Sequence, residues 1–230
     1  EEAATSKGAH HIREQFTPDL CIIGEPSGSS RITLGYKGRI VLEYQLTRPV
    51  AHTARPEPSA GALGAAFWSR VDAWTQERNQ GLTAAFDQVW AHLRAINTET
   101  DHLTESVRVA LSLRLPPTCS PEEALENLQA LADADAKIHA HGLERAYQGD
   151  RNNPLVRGML AAIREVTGER PGFVLKTGTS DMNVVGKVWR CPIVAYGPGD
   201  SNLDHTPNEH LPLDEYQRAI TVLRHFIEHL

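Results

Sequence analysis

The sequence is poor in cysteine, carries no excess of positive charge and lacks any long apolar segment. Its three cysteines, Cys21, Cys119 and Cys191, lie far apart and form no CxxC pair, which predicts reduced thiols in a cytoplasmic protein. A formal net charge of -6 argues against a nucleic-acid partner, because such binding needs a basic face. With no segment long and apolar enough to span a bilayer, and no visible signal peptide, no membrane partner is expected either.

Compact catalytic signatures are also scarce. No HExxH motif is present, so the sequence offers no local zinc signature of that kind. The 230 residues are enough for one large domain or two modest ones with real cores. Any catalytic site must therefore be assembled by folding from residues that are distant in sequence.

The two ends of the chain alternate strand and helix. Leu20–Ile23 is a short apolar run rich in β-branched residues, which predicts a strand buried on both faces, as in a parallel sheet. Phe173–Leu175 and Cys191–Tyr196 predict two more buried strands, and Pro154–Val166 predicts an amphipathic helix. A last helix is expected to bury Tyr216, Ile220, Leu223, Phe226 and Leu230. Alternation of this kind is typical of an α/β domain.

Residues 35–148 have a different pattern. Their first strand has one apolar face, made by Ile40, Leu42, Tyr44 and Leu46. Later strands are predicted at about 86–97, 105–115 and 137–147, with one helix that carries Leu63, Phe67, Val71 and Trp74 and a second that begins at Ser120. The order is therefore strand, helix, strand, strand, helix, strand, which is that of a ferredoxin-like α+β domain. The sequence thus predicts an incomplete α/β domain in two segments, 1–34 and 149–230, with a ferredoxin-like domain inserted between them.

Glu25 is the first side chain after the predicted strand Leu20–Ile23, and Pro26 stops that strand from continuing. Ligands bind at the carboxyl ends of the strands in open α/β sheets, so a carboxylate here is a candidate catalytic or metal-binding group. We expect Thr177–Asp181 and Asp204–His205 at the same edge, where oxygen and nitrogen donors would suit a cation such as zinc. A solvated glutamate in a turn and an ordinary loop histidine remain the alternatives.

Two further segments have two interpretations each. Gly178–Asp181 offers backbone N–H groups and hydroxyls that could hold a carboxylate, or it is simply the cap of a helix. The adjacent carboxylates of Glu1 and Glu2 could take different roles, one binding a cation and the other moving protons, or they are a frayed charged terminus.

Taken together, the motifs resemble the zinc-dependent amidohydrolase and exopeptidase family that includes acetylornithine deacetylase, succinyl-diaminopimelate desuccinylase and glutamate carboxypeptidase. The resemblance covers nearly the whole chain. Each motif is weak singly, but the order and spacing of the motifs are specific. In chain order they are Glu1-Glu2, Gly-Glu25-Pro, Gly-Tyr-Lys-Gly, Ala-His52-Thr, Leu113-Arg114, Gly-Thr-Ser-Asp181, Gly-Pro-Gly-Asp-Ser, His205 and Asn208-Glu209.

The resemblance implies roles for individual residues. Glu1 would be the general base that activates the attacking water, Glu2 and His205 would bind one zinc ion, and Glu25 would bind a second, with Co2+ as an alternative metal. The inserted domain would be a lid and dimerisation domain, whose His52 would stabilise the oxyanion in a neighbouring subunit's site. The substrate would be seated by Thr179, Ser180 and Asp181.

Within the family the narrower resemblance is to enzymes that release lysine or ornithine from an acidic amino-group carrier protein or deacetylate N-acetyl-lysine. It is carried by Lys176–Asn183 and by Leu203-Asp-His-Thr-Pro. Family members also have an upstream His-x-Asp segment and a bridging Asp, which this sequence does not contain. We therefore expect the C-terminal part of a longer enzyme, inactive by itself. The alternative is an inactive fragment or relative that acts as a dimerisation or binding module.

Overall fold

The computed structural model describes residues 5–52 and 56–230, and the chain divides into two compact units. One unit combines the chain up to Tyr36 with Tyr147–Leu230, and the other is Lys37–Ala146. In chain order the elements are α1 (Lys7–Ile12), β1 (Cys21–Ile23), β2 (Arg31–Tyr36), β3 (Gly38–Pro49), α2 (Ala60–Arg78), β4 (Trp90–Thr100), β5 (Thr104–Leu115), α3 (Pro121–Ala130), β6 (Lys137–Glu144), β7 (Tyr147–Gln148), α4 (Pro154–Thr167), β8 (Gly172–Lys176), α5 (Met182–Val185), β9 (Ile193–Ala195) and α6 (Leu213–Glu228). Of the helices in the described ranges, none has the length and apolar character to cross a membrane.

The first unit is built on a mixed sheet with helices on both faces. β1 and β9 are parallel, whereas β2 runs antiparallel to β9 and parallel to β8. Val194 of β9 joins the core beneath α4 and α6, and its neighbours Ile193 and Ala195 join the core on the other face, beside α1 and α5. This follows from the alternation of side chains along a strand. The predicted α/β character of this unit is confirmed.

The ends of α4 follow directly from the sequence. Asn153 caps the helix, because its Oδ1 accepts a hydrogen bond of 2.9 Å from the backbone N–H of Val156, and Pro154 occupies the first turn. Gly168 ends the helix with φ 71°, a left-handed conformation that glycine adopts without steric cost. The helix therefore spans the predicted segment almost residue for residue.

The second unit is a four-stranded antiparallel sheet, in the order β4-β5-β3-β6 within the described residues. Alternate residues of β3 are buried, and Ile40, Leu42 and Tyr44 are fully inaccessible. They pack against the inner face of β5 and against α2 and α3. The predicted order of strands and helices is therefore the one observed, although the second strand begins at Trp90 and not near residue 86.

Two predictions about the strands need correction. The strand Leu20–Ile23 is half-buried and not buried on both faces, because β1 pairs with β9 alone in the described part of the chain and so lies at an edge of the sheet. The predicted strand 137–147 is divided. β6 ends at Glu144, and Tyr147–Gln148 forms β7, which pairs with β2 in the first unit.

The prediction for α6 was wrong in its buried face. Tyr216 and Ile220 are 47% and 49% exposed, whereas Ala219, Val222 and Phe226 are buried. Among the five residues expected inside, Phe226 alone is fully buried. The reason is the close approach of α6 to α4: the Phe226 ring lies 2.8 Å from where a Cβ at Gly158 would be, and this contact fixes which stripe of α6 faces inward.

Candidate active site

The turn that carries Glu25 is held by the ends of β1 and β9. Its backbone N–H donates to the carbonyl of Ile23 at 3.0 Å, and the N–H of Ser27 donates to the carbonyl of Gly197 at 2.9 Å. A Cβ at Gly197 would lie 2.8 Å from the Glu25 carbonyl oxygen, so glycine is what lets the two loops approach. Since β1 and β9 are parallel, Glu25 and the loop after β9 leave the sheet at the same edge, as the sequence predicts.

A buried hydroxyl pair fixes the next residues across the sheet. Ser27 Oγ lies 2.8 Å from Thr33 Oγ1 of β2 and donates within 3.2 Å of the carbonyl oxygen of Ala195. Ser27 is 2% exposed and Thr33 is fully buried. The Glu25 turn is therefore anchored to both β2 and β9, which restricts where its carboxylate can point.

Tyr36 and Lys176 connect this turn to the loop that contains Asp204. Lys176 Nζ donates to the carbonyl oxygen of Pro26. Burial lowers the pKa of Lys176, while the carboxylates of Asp204 and Glu25 act in the opposite direction. Burial raises the pKa of Tyr36, and the carboxylates of Glu25 and Asp204 raise it further. Both side chains therefore sense the same two carboxylates.

The segment after β8 does not lie where the sequence placed it. β8 runs parallel to β2 and so opposite to β1 and β9, which means that Lys176 ends its strand at the edge away from Glu25. Tyr36 and Lys176 are register partners there. The long side chain of Lys176, and not a shared strand edge, brings this end of the sheet into contact with the Glu25 turn.

The Gly-Thr-Ser-Asp segment is partly a helix cap. Ser180 Oγ accepts a hydrogen bond of 3.2 Å from the N–H of Met182, and the N–H of Ser180 donates to Asn183 Oδ1 at 2.9 Å. Thr179 is half-buried. Asp181 forms no capping hydrogen bond, and its Oδ1 is buried without a hydrogen-bond partner within the described ranges. The capping interpretation thus applies to Ser180, and the Asp181 carboxylate keeps the capacity to accept a ligand.

His205 and His52, the other predicted site residues that the structure describes, are not gathered into a metal centre. His205 is exposed at φ 62°, and its N–H donates to Glu209 Oε2 at 2.9 Å. His52 is exposed and belongs to the second unit. Glu1 and Glu2 lie outside the described residues. Across residues 5–52 and 56–230 no three His, Cys, Asp or Glu side chains are grouped so that they could hold a metal ion.

The carboxylate and imidazole of Glu25 and His205 are donors that zinc accepts, so their chemistry fits a zinc site. The described residues alone do not complete such a site. Any bound zinc would need further donors, and Glu2 is the candidate that the resemblance supplies.

The sequence reasoning missed three side chains. Tyr36 and Lys176 could have been noticed as polar residues that end two strands, at the Gly-Tyr-Lys-Gly and Lys-Thr-Gly-Thr motifs. His225 on α6 was also missed: it bonds Glu165 at 2.7 Å, and its ring lies 4.3 Å from that of His229 one turn later. His225 and His229 have an i, i+4 spacing that is visible in the sequence.

An apolar cavity of about 290 Å³ lies beside the Glu25 turn. Its other walls are Pro198 and the outer stripe of α6, with Tyr216, Ile220 and Leu223. Tyr216 and Ile220, which were wrongly expected in the core, therefore line this cavity, together with Leu223, which also packs against the core.

The fold and the site define a class of protein: an α/β unit that presents a carboxylate at a ligand-binding sheet edge, interrupted by an antiparallel sheet unit. Residues 1–229 match the profile of peptidase family M20/M25/M40. The chain belongs to this family.

Known proteins of this kind are similar over nearly the whole chain. LysW-lysine hydrolase of Deinococcus radiodurans is 44% identical over 229 residues, covering 97% of this chain and 62% of that protein. A putative LysW-lysine/LysW-ornithine hydrolase of Thermococcus kodakarensis is 36% identical, covering 100% and 60%. Aminopeptidase PepT of Bacillus cereus shares the fold with a TM-score of 0.74 at 16% identity, covering 98% of this chain and 61% of that one. The chain thus spans about 60% of the length of these proteins.

Proposed function

We propose that this chain is part of a metal-dependent hydrolase that cleaves the amide on the α-amino group of lysine or ornithine, in lysine or arginine biosynthesis. The observation that carries the proposal is the 44% identity, over 97% of the chain, to a protein named LysW-lysine hydrolase. The acyl partner would be a small acyl group or an acidic amino-group carrier protein such as LysW. A cytoplasmic location belongs to the same proposal, supported by the free thiols of all three cysteines.

Each site residue has a role in this proposal. Glu25, Glu2 and His205 would hold zinc, two ions in the intact site or Co2+ in their place, and the metal would polarise the amide carbonyl and lower the pKa of the attacking water. Glu1 would take the proton from that water and return it to the leaving amine. Thr179, Ser180 and Asp181 would seat the substrate.

The Asp181 assignment has support from the geometry and from charge. Its buried Oδ1 accepts no hydrogen bond from the described residues, and a buried carboxylate oxygen is costly without a donor. A substrate with an ammonium group supplies such a donor. This agrees with a basic amino acid as the product.

We also assign residues 37–146 the ferredoxin-like arrangement and the role of a lid and dimerisation domain. The strand order β4-β5-β3-β6, with α2 and α3 as the two connecting helices, supports the arrangement. His52 of this unit would stabilise the oxyanion in the site of a neighbouring subunit. Analytical ultracentrifugation of the purified protein tests the homodimer.

The test of the function is hydrolysis. The complete enzyme of which this chain would be part is loaded with Zn2+ or Co2+ and assayed against acylated lysine, ornithine and diaminopimelate, with and without a chelator, and residues 1–230 alone, expected to be inactive, serve as the control. We expect chelator-sensitive release of lysine or ornithine. Metal binding without any release would favour the alternative, a binding or dimerisation module.

A further inference from the structure

The hydroxyl of Tyr36 differs from those of the other fully buried tyrosines. Tyr36 is 2% exposed, and its Oη is buried without a hydrogen-bond partner in the described part of the chain. Tyr44 Oη donates to Asp133 Oδ2 at 2.8 Å, and Tyr196 Oη donates to the carbonyl of Ser29 at 2.9 Å. Buried hydroxyls are nearly always paired, so an exception needs an explanation.

The surroundings of Tyr36 do not supply the missing partner. Its ring packs in the core beside α5, among Met182 and Val184. The hydroxyls of Thr33 and Ser180 are near enough to lower the pKa of Tyr36, but neither forms a hydrogen bond with its Oη within the described residues. Thr33 is paired with Ser27, and Ser180 accepts from the N–H of Met182. The Tyr36 hydroxyl therefore keeps the capacity to donate to a ligand.

The position of this hydroxyl relates it to the candidate site. Tyr36 is electrostatically coupled to the carboxylates of Glu25 and Asp204, and its register partner on β8 is Lys176, whose ammonium contacts the Pro26 carbonyl. Burial and the two carboxylates raise the pKa of Tyr36, so its hydroxyl keeps its proton and acts as a donor at neutral pH. A neutral donor among carboxylates suits an uncharged or anionic oxygen of a ligand.

We propose that Tyr36 contacts the substrate and donates a hydrogen bond from its Oη to an oxygen of the bound acyl-amino acid. The inference rests on the proposed function and extends it by naming a substrate-contacting residue. The acceptor is a carbonyl or carboxylate oxygen of the substrate. In both cases the hydroxyl that lacks a partner in the chain gains one when substrate binds.

Two variants separate this role from a structural one. Tyr36→Phe removes the hydroxyl without an internal partner, and Tyr44→Phe removes a buried hydroxyl that is bonded to Asp133 in the other unit. We expect Tyr44→Phe to lower the Tm by about 2–4 °C and Tyr36→Phe to leave it unchanged or raise it. A Tm loss for Tyr36→Phe as large as that for Tyr44→Phe would show an internal partner and overturn the inference.

Binding is measured by titration calorimetry with N-acetyl-lysine and N-acetyl-lysinamide on the complete, zinc-loaded protein in a Glu1→Gln background, which removes the proposed general base so that no turnover occurs. We expect Tyr36→Phe to weaken binding of N-acetyl-lysine about tenfold and Tyr44→Phe to leave it unchanged. A loss confined to N-acetyl-lysine identifies the carboxylate as the acceptor, and an equal loss for both probes identifies a carbonyl.

The two proposals fail differently. If the unsubstituted protein binds N-acetyl-lysine and Tyr36→Phe binds it equally well, the inference about Tyr36 is wrong and the proposed function stands. If the unsubstituted protein binds neither probe, the proposed substrate class is contradicted and the role of Tyr36 falls with it.

Discussion

Replacement of Gly197 by alanine tests whether the approach of two loops positions Glu25. The added Cβ would lie 2.8 Å from the carbonyl oxygen of Glu25 and 3.2 Å from its carbonyl carbon. Both atoms belong to the backbone, so no side-chain rotation relieves the clash and the Glu25 turn must move by several tenths of an ångström. Overpacking of this kind costs about 1–3 kcal/mol, and the smaller entropy of the unfolded alanine chain offsets about 0.4–1 kcal/mol of it.

The same turn offers a matched control. Gly24 directly precedes Glu25, and a Cβ there would meet nothing within 4 Å. Gly24→Ala should leave stability unchanged or raise it by up to about 1 kcal/mol. A net loss of about 1–2 kcal/mol for Gly197→Ala corresponds to a Tm lowered by roughly 2–8 °C. Calorimetric Tm values measured for both variants would contradict the reasoning if they were equal, because the backbone contact at Gly197 would then impose no constraint.

Three other substitutions test separate parts of the structure. Lys37 is fully buried and burial lowers its pKa to about 8, so between pH 8 and the ordinary pKa of 10.5 this residue binds more protons in the unfolded chain, and its own contribution to stability rises with pH. Burial raises the pKa of Cys21 and Cys119 to about 11, which lowers stability as pH rises above 9, so the informative quantity is the difference between two proteins. In urea titrations the unsubstituted protein should gain up to about 3 kcal/mol relative to Lys37→Met across the window, and a constant difference would contradict this. Ser27→Ala should lower the free energy of unfolding, measured by urea titration, by about 1–2 kcal/mol, because it removes the partner of the buried Thr33 hydroxyl. An unchanged urea midpoint would contradict a stabilising Ser27–Thr33 hydrogen bond. Glu25→Gln should weaken zinc binding at least tenfold in a competition titration. Glu14→Gln, which alters an exposed ion pair with Arg13, is the control and should leave the zinc affinity unchanged. Equal zinc affinities of the two variants would show that Glu25 is not a zinc ligand.

The elements that the sequence predicted well are those whose signals are local. Asn153, Pro154 and Gly168 set the ends of α4 through their own backbone and capping preferences. The alternation from Ile40 to Leu46 specified the buried face of β3, since a strand repeats every two residues. Such patterns need no knowledge of what packs against them.

The errors come from packing that no local pattern encodes. Tyr216 and Ile220 have the helical spacing of a buried stripe, yet the contact of Phe226 with Gly158 turns α6 so that they remain half exposed. In the same way the apolar run of β1 is compatible with a central strand or an edge strand. The number of neighbours that a strand or helix receives is a property of the whole fold.

The candidate site shows the same limit for chemistry. Glu25 was predictable, because the rule that ligands bind at the carboxyl ends of strands needs only a strand and its direction. Tyr36 and Lys176 break that rule, since they lie at the other end of antiparallel neighbours. Lys176 reaches the Glu25 turn through the length of its side chain, and Tyr36 is near enough for the Glu25 carboxylate to raise its pKa. The direction of each strand in a mixed sheet therefore decides which strand ends meet at one edge. A long side chain, such as that of tyrosine or lysine, can extend from one edge toward the other. Tyr36 is an example: its ring is buried among the apolar residues beside α5, and this packing restricts where its hydroxyl can lie.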